Sequence, residues 1–553
     1  MKNLVVLYCG GLTAHAFEKV FDGKSAFEKV LDWAEEFRTK IILFTKTDSL
    51  AEKEISSILA ASELEILSRP DWSKSLFISE ISSCLKKQDC NAAVVAWGDT
   101  PFLNKSLSGQ LLEMHEKYAA EYSFADGFPA GLAPEIIDFG ACSILAQLSE
   151  NTMKGEGEKP VDREAIFSVM RGDINSFEIE TLIADEDYRL LRFDFEASSK
   201  INFLSCRNLY ELAVKENVPL DDAYALSKLA ASSASVMQTV PAFYNIQISS
   251  KYNHTSCYSL ASVGLNPQTK DFMDINDFKK IIAQIRDYSE NSVVSLSAFG
   301  EPLLNLSFVD FALEVLEKND GNHRISLLIE SDGLLVSDEM ASKISAAAKE
   351  KNAEVNWIIY IDAVEQSLYS KIHSCQTDDF QKALCAVPLL EKYFEKHVYP
   401  QFMRMKSNEE QLEAFYRFWN EKTSPSMGEF IIQKYNSFCS ALPELKSADL
   451  SPVNRLPCWH LRRDMTILAD GSVPFCSQLS FPKNAGNILS DGIEKVWSEF
   501  RSVMESHLAL VRAINEKGDF GQTDGRNPAD YDGIADVSDN KCGICDESYT
   551  FNF

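Results

Sequence analysis

The chain is short of positive charge. Its 54 lysines and arginines face 82 aspartates and glutamates, a formal charge of −28 over 553 residues. Binding nucleic acid through a basic face needs clustered Lys and Arg, so no such partner is expected. Long apolar runs are missing as well. A membrane span needs about 18 or more consecutive apolar residues, and none occurs; the uncharged stretch 229–250 is interrupted by Ser, Gln and Asn. Leu4 to Tyr8 is a short apolar run that reads into Gly10-Gly11 without a cleavage pattern, so no signal peptide is expected and the location is read as cytoplasmic. In a reducing compartment the 13 cysteines are not a disulfide framework. Most stand singly, among them Cys84, Cys142, Cys206, Cys375, Cys385 and Cys439, and read as small core residues.

What the chain does have is a concentration of thiols near its C-terminus. Cys458 and Cys476 bracket one stretch, and Cys542 and Cys545 form a CxxC further on. Four soft thiolates suit zinc or an iron–sulfur cluster, and spacing alone leaves both open. Asp470-Gly471, flanked by apolar residues, signals a tight hairpin that would aim Cys476 inward.

So long a chain divides into several cores. Up to about residue 215, uniformly apolar strands (2–8, 40–45, 92–97) alternate with amphipathic helices, which predicts a parallel α/β sheet. A helical linker, 216–241, follows. From 242 to 444 strands are predicted at 243–249, 292–297, 325–330, 355–361 and 398–402, with helices at 275–288, 308–318, 338–350 and 381–393, the repeat of a full or partial (β/α) barrel. From 445 to 553 the chain is loop-rich, and 518–538 reads as an exposed insertion. The expected fold class is therefore multidomain α/β.

The tail reads PCWHLRRDMTILADGSVPFCSQL, then NAGNILSDGIEKVWSEFRS, then CGIC. It resembles the SPASM domain, the C-terminal extension of many radical S-adenosylmethionine enzymes. The matching elements are Cys458, Gly471, Cys476, Gly486-Asn487-Ile488, Trp497, Cys542 and Cys545. The resemblance implies that the four cysteines ligate one auxiliary [4Fe–4S] cluster. With no cysteine after Cys545, a second cluster is not expected.

The middle resembles the radical S-adenosylmethionine barrel. Gly300, Glu301 and Pro302 stand past a strand as the family's GEP motif does, which implies a site for the amino end of S-adenosylmethionine or a similar ligand. Glu330 to Gly333 and Ile361-Asp362 resemble later strand ends of that barrel. The family's CxxxCxxC, however, is absent. The corresponding positions are Tyr252, Ser256 and Ser259, with Cys257 one place out of register. Hydroxyls are poor ligands for iron–sulfur iron, so no radical chemistry on S-adenosylmethionine is expected.

The front resembles GT-A-like nucleotidyltransferases. LVVLYCGGLTAHAFEKVFDGKSAFEKVL matches their opening strand and Gly-rich loop, and WGDTPF their strand-end Gly-Asp-x-Pro. The resemblance implies that Gly10, Gly11, Lys19 and Lys24 meet a nucleotide and that Asp99 ligates Mg²⁺. A second acid is sought among Glu178, Glu180, Asp185 and Asp187. The family's Arg is missing: Thr13-Ala14-His15 stands in its place. The segment 122–135 would cover the pocket mouth.

Taken together, this layout resembles the spiro-SPASM family, a resemblance that names no substrate; the first reading is an iron–sulfur-binding protein of this type that acts on nucleotide-linked or envelope sugars through its front. Two alternatives stand beside it: an active radical enzyme modifying a peptide or small molecule, and a non-catalytic scaffold binding a peptide and a nucleotide.

Overall fold

The computed structural model describes residues 2–59, 64–156, 159–267, 269–321, 323–376, 378–448, 454–478, 483–517 and 541–547. The insertion expected at 518–538 lies outside them. The chain forms two compact units, Met1–Met237 and Gln238–Phe553.

The first unit is built on a seven-stranded sheet: β1 Asn3–Tyr8, β2 Lys40–Lys46, β3 Glu65–Arg69, β4 Ala92–Trp97, β5 Tyr122–Asp126, β6 Glu135–Asp138 and β7 Ile179–Ile183, in the order β3-β2-β1-β4-β6-β5-β7. Val5, Val6 and Leu7 of β1 and Val94 of β4 are fully buried, as strands covered on both faces must be. Helix Ala26–Glu35 starts with a capping box between Ser25 and Glu28, which satisfies two otherwise orphaned backbone donors. The parallel sheet expected from the sequence has one exception: β6 runs antiparallel to β4 and β5. The segment expected to cover a pocket, 122–135, is mainly β5 and the turn leading into β6. The expected linker 216–241 is not a separate spacer. Helices Ala223–Ser232 and Ala234–Met237 pack with helix Lys200–Glu216 inside this unit, because Leu226, Ala230, Val236 and Met237 form an apolar face that must be buried.

The second unit carries a seven-stranded, wholly parallel open sheet: β8 Phe243–Ile246, β9 Asn291–Ser295, β10 Arg324–Ser331, β11 Val355–Tyr360, β12 Val398–Arg404, β13 Ile431–Lys434 and β14 Asp464–Ile467. The order is β13-β12-β11-β10-β9-β8-β14. This is the partial barrel. The division expected at 444/445 does not hold as a structural boundary, because β14 of the tail pairs with β8 of the barrel, Met465 opposite Tyr244. One apolar core runs through both: Tyr244, Ile246 and Trp357 share it with Met465, Ile467, Trp497 and Phe500. The tail adds a small antiparallel pair, β15 Ser472–Pro474 with β16 Asn484–Asn487, and the long helix Ile493–Lys517. The Trp497 indole on that helix donates to Thr239 O at 3.0 Å.

Between β14 and β15 the chain reverses where Asp470-Gly471 predicts it. Gly471 N donates to Leu468 O at 2.8 Å, and Asp470 Oδ1 accepts from Ser472 N and Oγ. Gly471 has φ +85°, and a Cβ there would stand 2.8 Å from Leu489 Cδ1, so only glycine fits without strain.

Candidate functional site

At the C-terminal ends of the barrel strands lies a cavity of about 270 Å³. The loop after β8 contributes Tyr252, His254 and Ser256, the loop after β9 contributes Gly300 and Glu301, and the tail closes it with His460, Ser477 and Gln478. A Cβ on Gly300 would lie 1.9 Å from Ser249 O, so the turn reaches the strand end only as glycine. Glu301 is buried. Its Oε1 accepts from Leu303 N at 3.1 Å and Ser331 Oγ at 2.9 Å, and its Oε2 from Asp332 N at 2.9 Å. Burial, and then the charge of Asp332, hold its carboxyl well above the usual carboxylate range. The carboxylate expected to meet a ligand is therefore bonded to the protein itself. Pro302 is buried at the start of the short turn Pro302–Leu304.

The three positions that stand where the barrel family has cysteines are engaged in their own hydrogen bonds. Tyr252 Oη donates to Asn266 Oδ1 at 3.0 Å. Ser259 caps the short helix Leu260–Val263, accepting from Ala261 N. Ser256 Oγ and His373 Nδ1 are hydrogen-bonded at 2.8 Å. His373 Nε2 lies 3.2 Å from Asp362 Oδ2, close but off the hydrogen-bond line. Asp362 also accepts from Tyr258 Oη at 2.6 Å and from Met403 N at 2.5 Å. A polar ring of hydroxyl, imidazole and carboxylate thus stands at this end of the barrel. Cys257 is half-buried with its thiol 3.9 Å from Met405 Sδ, the packed thiol expected of it.

In the tail, Cys458, Cys542 and Cys545 are buried and Cys476 is half-buried. Burial, then Cys476, Cys458 and Cys439, raise the Cys542 thiol well above its ordinary pKa. A hydrogen bond with Cys439, then burial, do the same for Cys545, with Cys458 again near. The four expected cysteines therefore stand in one neighbourhood, and a fifth, Cys439, stands with them. That fifth cysteine was read from the sequence as a core residue; nothing local in the sequence marks it.

Cys545 Sγ accepts from Glu547 N at 3.4 Å. Arg455 holds the CxxC loop by its carbonyls, donating to Cys542 O at 3.0 Å and Cys545 O at 3.4 Å. Cys458 N donates to His507 Nε2 at 2.9 Å. Burial, then Arg455, push the His507 pKa down to about 4, which leaves that nitrogen unprotonated and able to accept. The Glu547 N–H on Cys545 Sγ is the kind of donor that suits a thiolate carrying a metal's charge. Among the described residues no three His, Cys, Asp or Glu side chains close to single-ion spacing.

In the first unit Asp99, just past β4, is buried, and both its oxygens accept from Arg163 Nη2 at 2.8 Å. Arg163 Nε also pairs with Glu196, and the guanidinium lies 4.9 Å over the Trp97 ring. Burial works to lower the Arg163 pKa, but Asp99 and then Glu196 outweigh it and the net shift is upward. The acids expected to offer a second ligand are Glu178, Glu180, Asp185 and Asp187. Glu180 lies on β7, beyond β6 and β5 from β4, and Asp187 is bonded to Arg189. Glu196 and Asp194 stand near Asp99 instead, brought there by the bond from Ala197 N to Asp99 O. Of the loop residues, Gly10 packs on Tyr8, where a Cβ would meet Tyr8 Oη at 2.7 Å, and Gly11 faces open space. Lys19 pairs with Glu28 at 3.4 Å and Lys24 with Asp32 at 2.6 Å. These exposed pairs are worth about 0–1 kcal/mol and exchange readily.

Residues 458–517 match the family model described as "SPASM: Iron-sulfur cluster-binding domain". An "Uncharacterized protein" of Treponema pallidum (strain Nichols) is 33% identical over 398 residues, 70% of this chain and 98% of that protein. Among solved structures, native anSMEcpe with bound AdoMet is similar over 48% of this chain and 84% of its own, at 14% identity and a TM-score of 0.38. A cytidylyltransferase from Leptospira borgpetersenii serovar Hardjo-bovis (strain JB197) is similar over 41% of this chain and 91% of its own, at 12% identity and a TM-score of 0.32. Both TM-scores are low.

Proposed function

The chain belongs to the family of that Treponema pallidum protein, whose length it covers almost entirely, and on that footing we propose that it is an iron–sulfur protein with one [4Fe–4S] cluster beside a small-molecule cavity. The observation that carries this reading is the gathering of the tail thiols next to a cavity whose wall includes Ser477 and Gln478, directly after Cys476. Cys458, Cys476, Cys542 and Cys545 would hold the cluster, which when bound supplies one-electron transfer. The chain's own part is to bind and orient: Arg455 fixes the CxxC loop, and His507 fixes the backbone at Cys458.

The cavity is proposed to take a small polar ligand, since Tyr252, His254, Asp332 and Lys434 line it. The barrel is proposed to have no S-adenosylmethionine radical chemistry, because its three ligand positions are hydroxyls already bonded to the protein. The test is anaerobic purification with iron and sulfide analysis, followed by S-adenosylmethionine and dithionite. The expected result is about four irons per chain and no 5′-deoxyadenosine. About eight irons with 5′-deoxyadenosine would favour an active radical enzyme instead. Zinc in place of iron would end the redox reading.

For the front unit we propose binding of a nucleotide or nucleotide-linked sugar without a requirement for Mg²⁺. The support is that a guanidinium already neutralises the strand-end carboxylate. Arg163→Ala is expected to release Asp99 and Glu196 to take up a divalent cation, read as attenuation of the free Mn²⁺ electron paramagnetic signal by the variant and not by the unaltered protein. Equal attenuation by both would show that Arg163 does not stand in for a metal.

A further inference from the structure

Cys439 sits in a turn tied to two of the cluster loops. Ser437 N and Oγ both donate to Asp546 Oδ2, at 3.0 and 2.5 Å, one residue past Cys545. Lys446 Nζ reaches Asp546 Oδ1 at 2.5 Å, which fixes that carboxylate from the other side. On its other flank the turn is held by Asn436 Nδ2, which donates to Gln478 Oε1 at 2.7 Å, two residues past Cys476. Phe438, Cys439 and Ser440 all have left-handed backbones, with φ of 50°, 54° and 66°. Left-handed conformation costs a non-glycine residue about 1–2 kcal/mol, so the turn persists because these bonds hold it. The Cys439 and Cys545 thiols are hydrogen-bonded. Cys439 is 3% exposed, as deeply buried as Cys458, Cys542 and Cys545, whereas Cys476 is half-buried.

We propose that Cys439 is a fifth thiol of the cluster site and exchanges with Cys476 as the ligand on the cavity side. The proposal rests on the iron–sulfur reading above. A cubane takes four thiolates, and this neighbourhood offers five. Cys458, Cys542 and Cys545 are the constant ligands. Cys476 is the most exposed of the five, and the residues that follow it form part of the cavity wall. With Cys439 on iron in place of Cys476, Cys439 would have given up its proton and the Cys476 thiol would carry one. Charge and electrons balance with no oxidant or reductant. The result is a cluster that stays whole while a thiol is presented to whatever occupies the cavity.

The experiment uses the full chain, reconstituted anaerobically, as wild type, Cys439→Ser, Cys476→Ser, the double variant and Cys545→Ser. Both single variants at 439 and 476 are expected to keep about four irons, and the double variant and Cys545→Ser to lose cluster iron. Iodoacetamide applied to the loaded wild type, with mapping by mass spectrometry, reads the exchange without any substitution. Label is expected on both Cys439 and Cys476, and the Cys476 label should disappear in Cys439→Ser. If Cys476→Ser loses iron as completely as Cys545→Ser, or if the label falls on Cys439 alone, the exchange is wrong while the cluster stands. Wild type without iron and sulfide would overturn the cluster reading and the exchange together.

Discussion

Cys542→Ser and Cys545→Ser will each take the iron content from about four per chain to background, while Cys257→Ser leaves it unchanged. Each CxxC thiol stands among the others, and replacing either leaves a hydroxyl that iron binds poorly. The backbone carbonyls of both residues are held by Arg455, and the loop should keep its path in the variants. Cys257 differs: its thiol meets Met405 and its side chain packs with Ile372 and Tyr435. The checks are iron and sulfide analysis and the visible absorption of the reconstituted protein. Iron retained in both CxxC variants would remove the tail from consideration as the cluster site, and equal loss from Cys257→Ser would show that Cys257 is a ligand.

The second large effect is expected at Asp362, which is fully buried. One oxygen accepts from Met403 N, the other from Tyr258 Oη, and His373 stands 3.2 Å away. Removing one member of such a buried polar set strands the rest, at a cost of about 3–5 kcal/mol. Asp362→Ala is expected to destabilise the chain by about that much in chemical denaturation. The backbone adds to it, since φ is +57° here and Ala tolerates the left-handed region worse than Asp or Asn. Asp362→Asn keeps that tolerance and the shape but turns one of the two accepting oxygens into a donor, and is expected to cost less than Ala. If Asp362→Ala unfolds at the same denaturant concentration as wild type, the ring around Ser256 and His373 is not holding this end of the barrel together.

Much of the architecture was readable from local pattern. Strands at 92–97 and 355–361 and helices at 275–288 and 338–350 fall within a residue or so of Ala92–Trp97, Val355–Tyr360, Ile275–Ser289 and Asp338–Lys351. Uniformly apolar strands and capped amphipathic helices announce themselves over a few residues. What escaped has no local mark. Arg163 meets Asp99 only after the sheet has formed, and Glu196 reaches it through a loop that periodicity does not describe. Cys439 looks like any buried thiol until Ser437 is seen bonded to Asp546. The direction of β6 was missed because a four-residue strand carries too little pattern to fix its sense. The pairing of β14 with β8 was missed because a strand after an expected domain boundary is not sought in the sheet before it.

That last pairing has a consequence for the edge of the barrel sheet. An uncovered strand edge is a row of unsatisfied donors and acceptors that recruits other chains. With β14 in place, the outer edge of β8 is taken, and Met465 and Ile467 cover its apolar neighbours. The segment that begins at Cys458 thus occupies the outer edge of β8 and becomes the edge strand itself, and a chain cut short before it would leave β8 with that edge open.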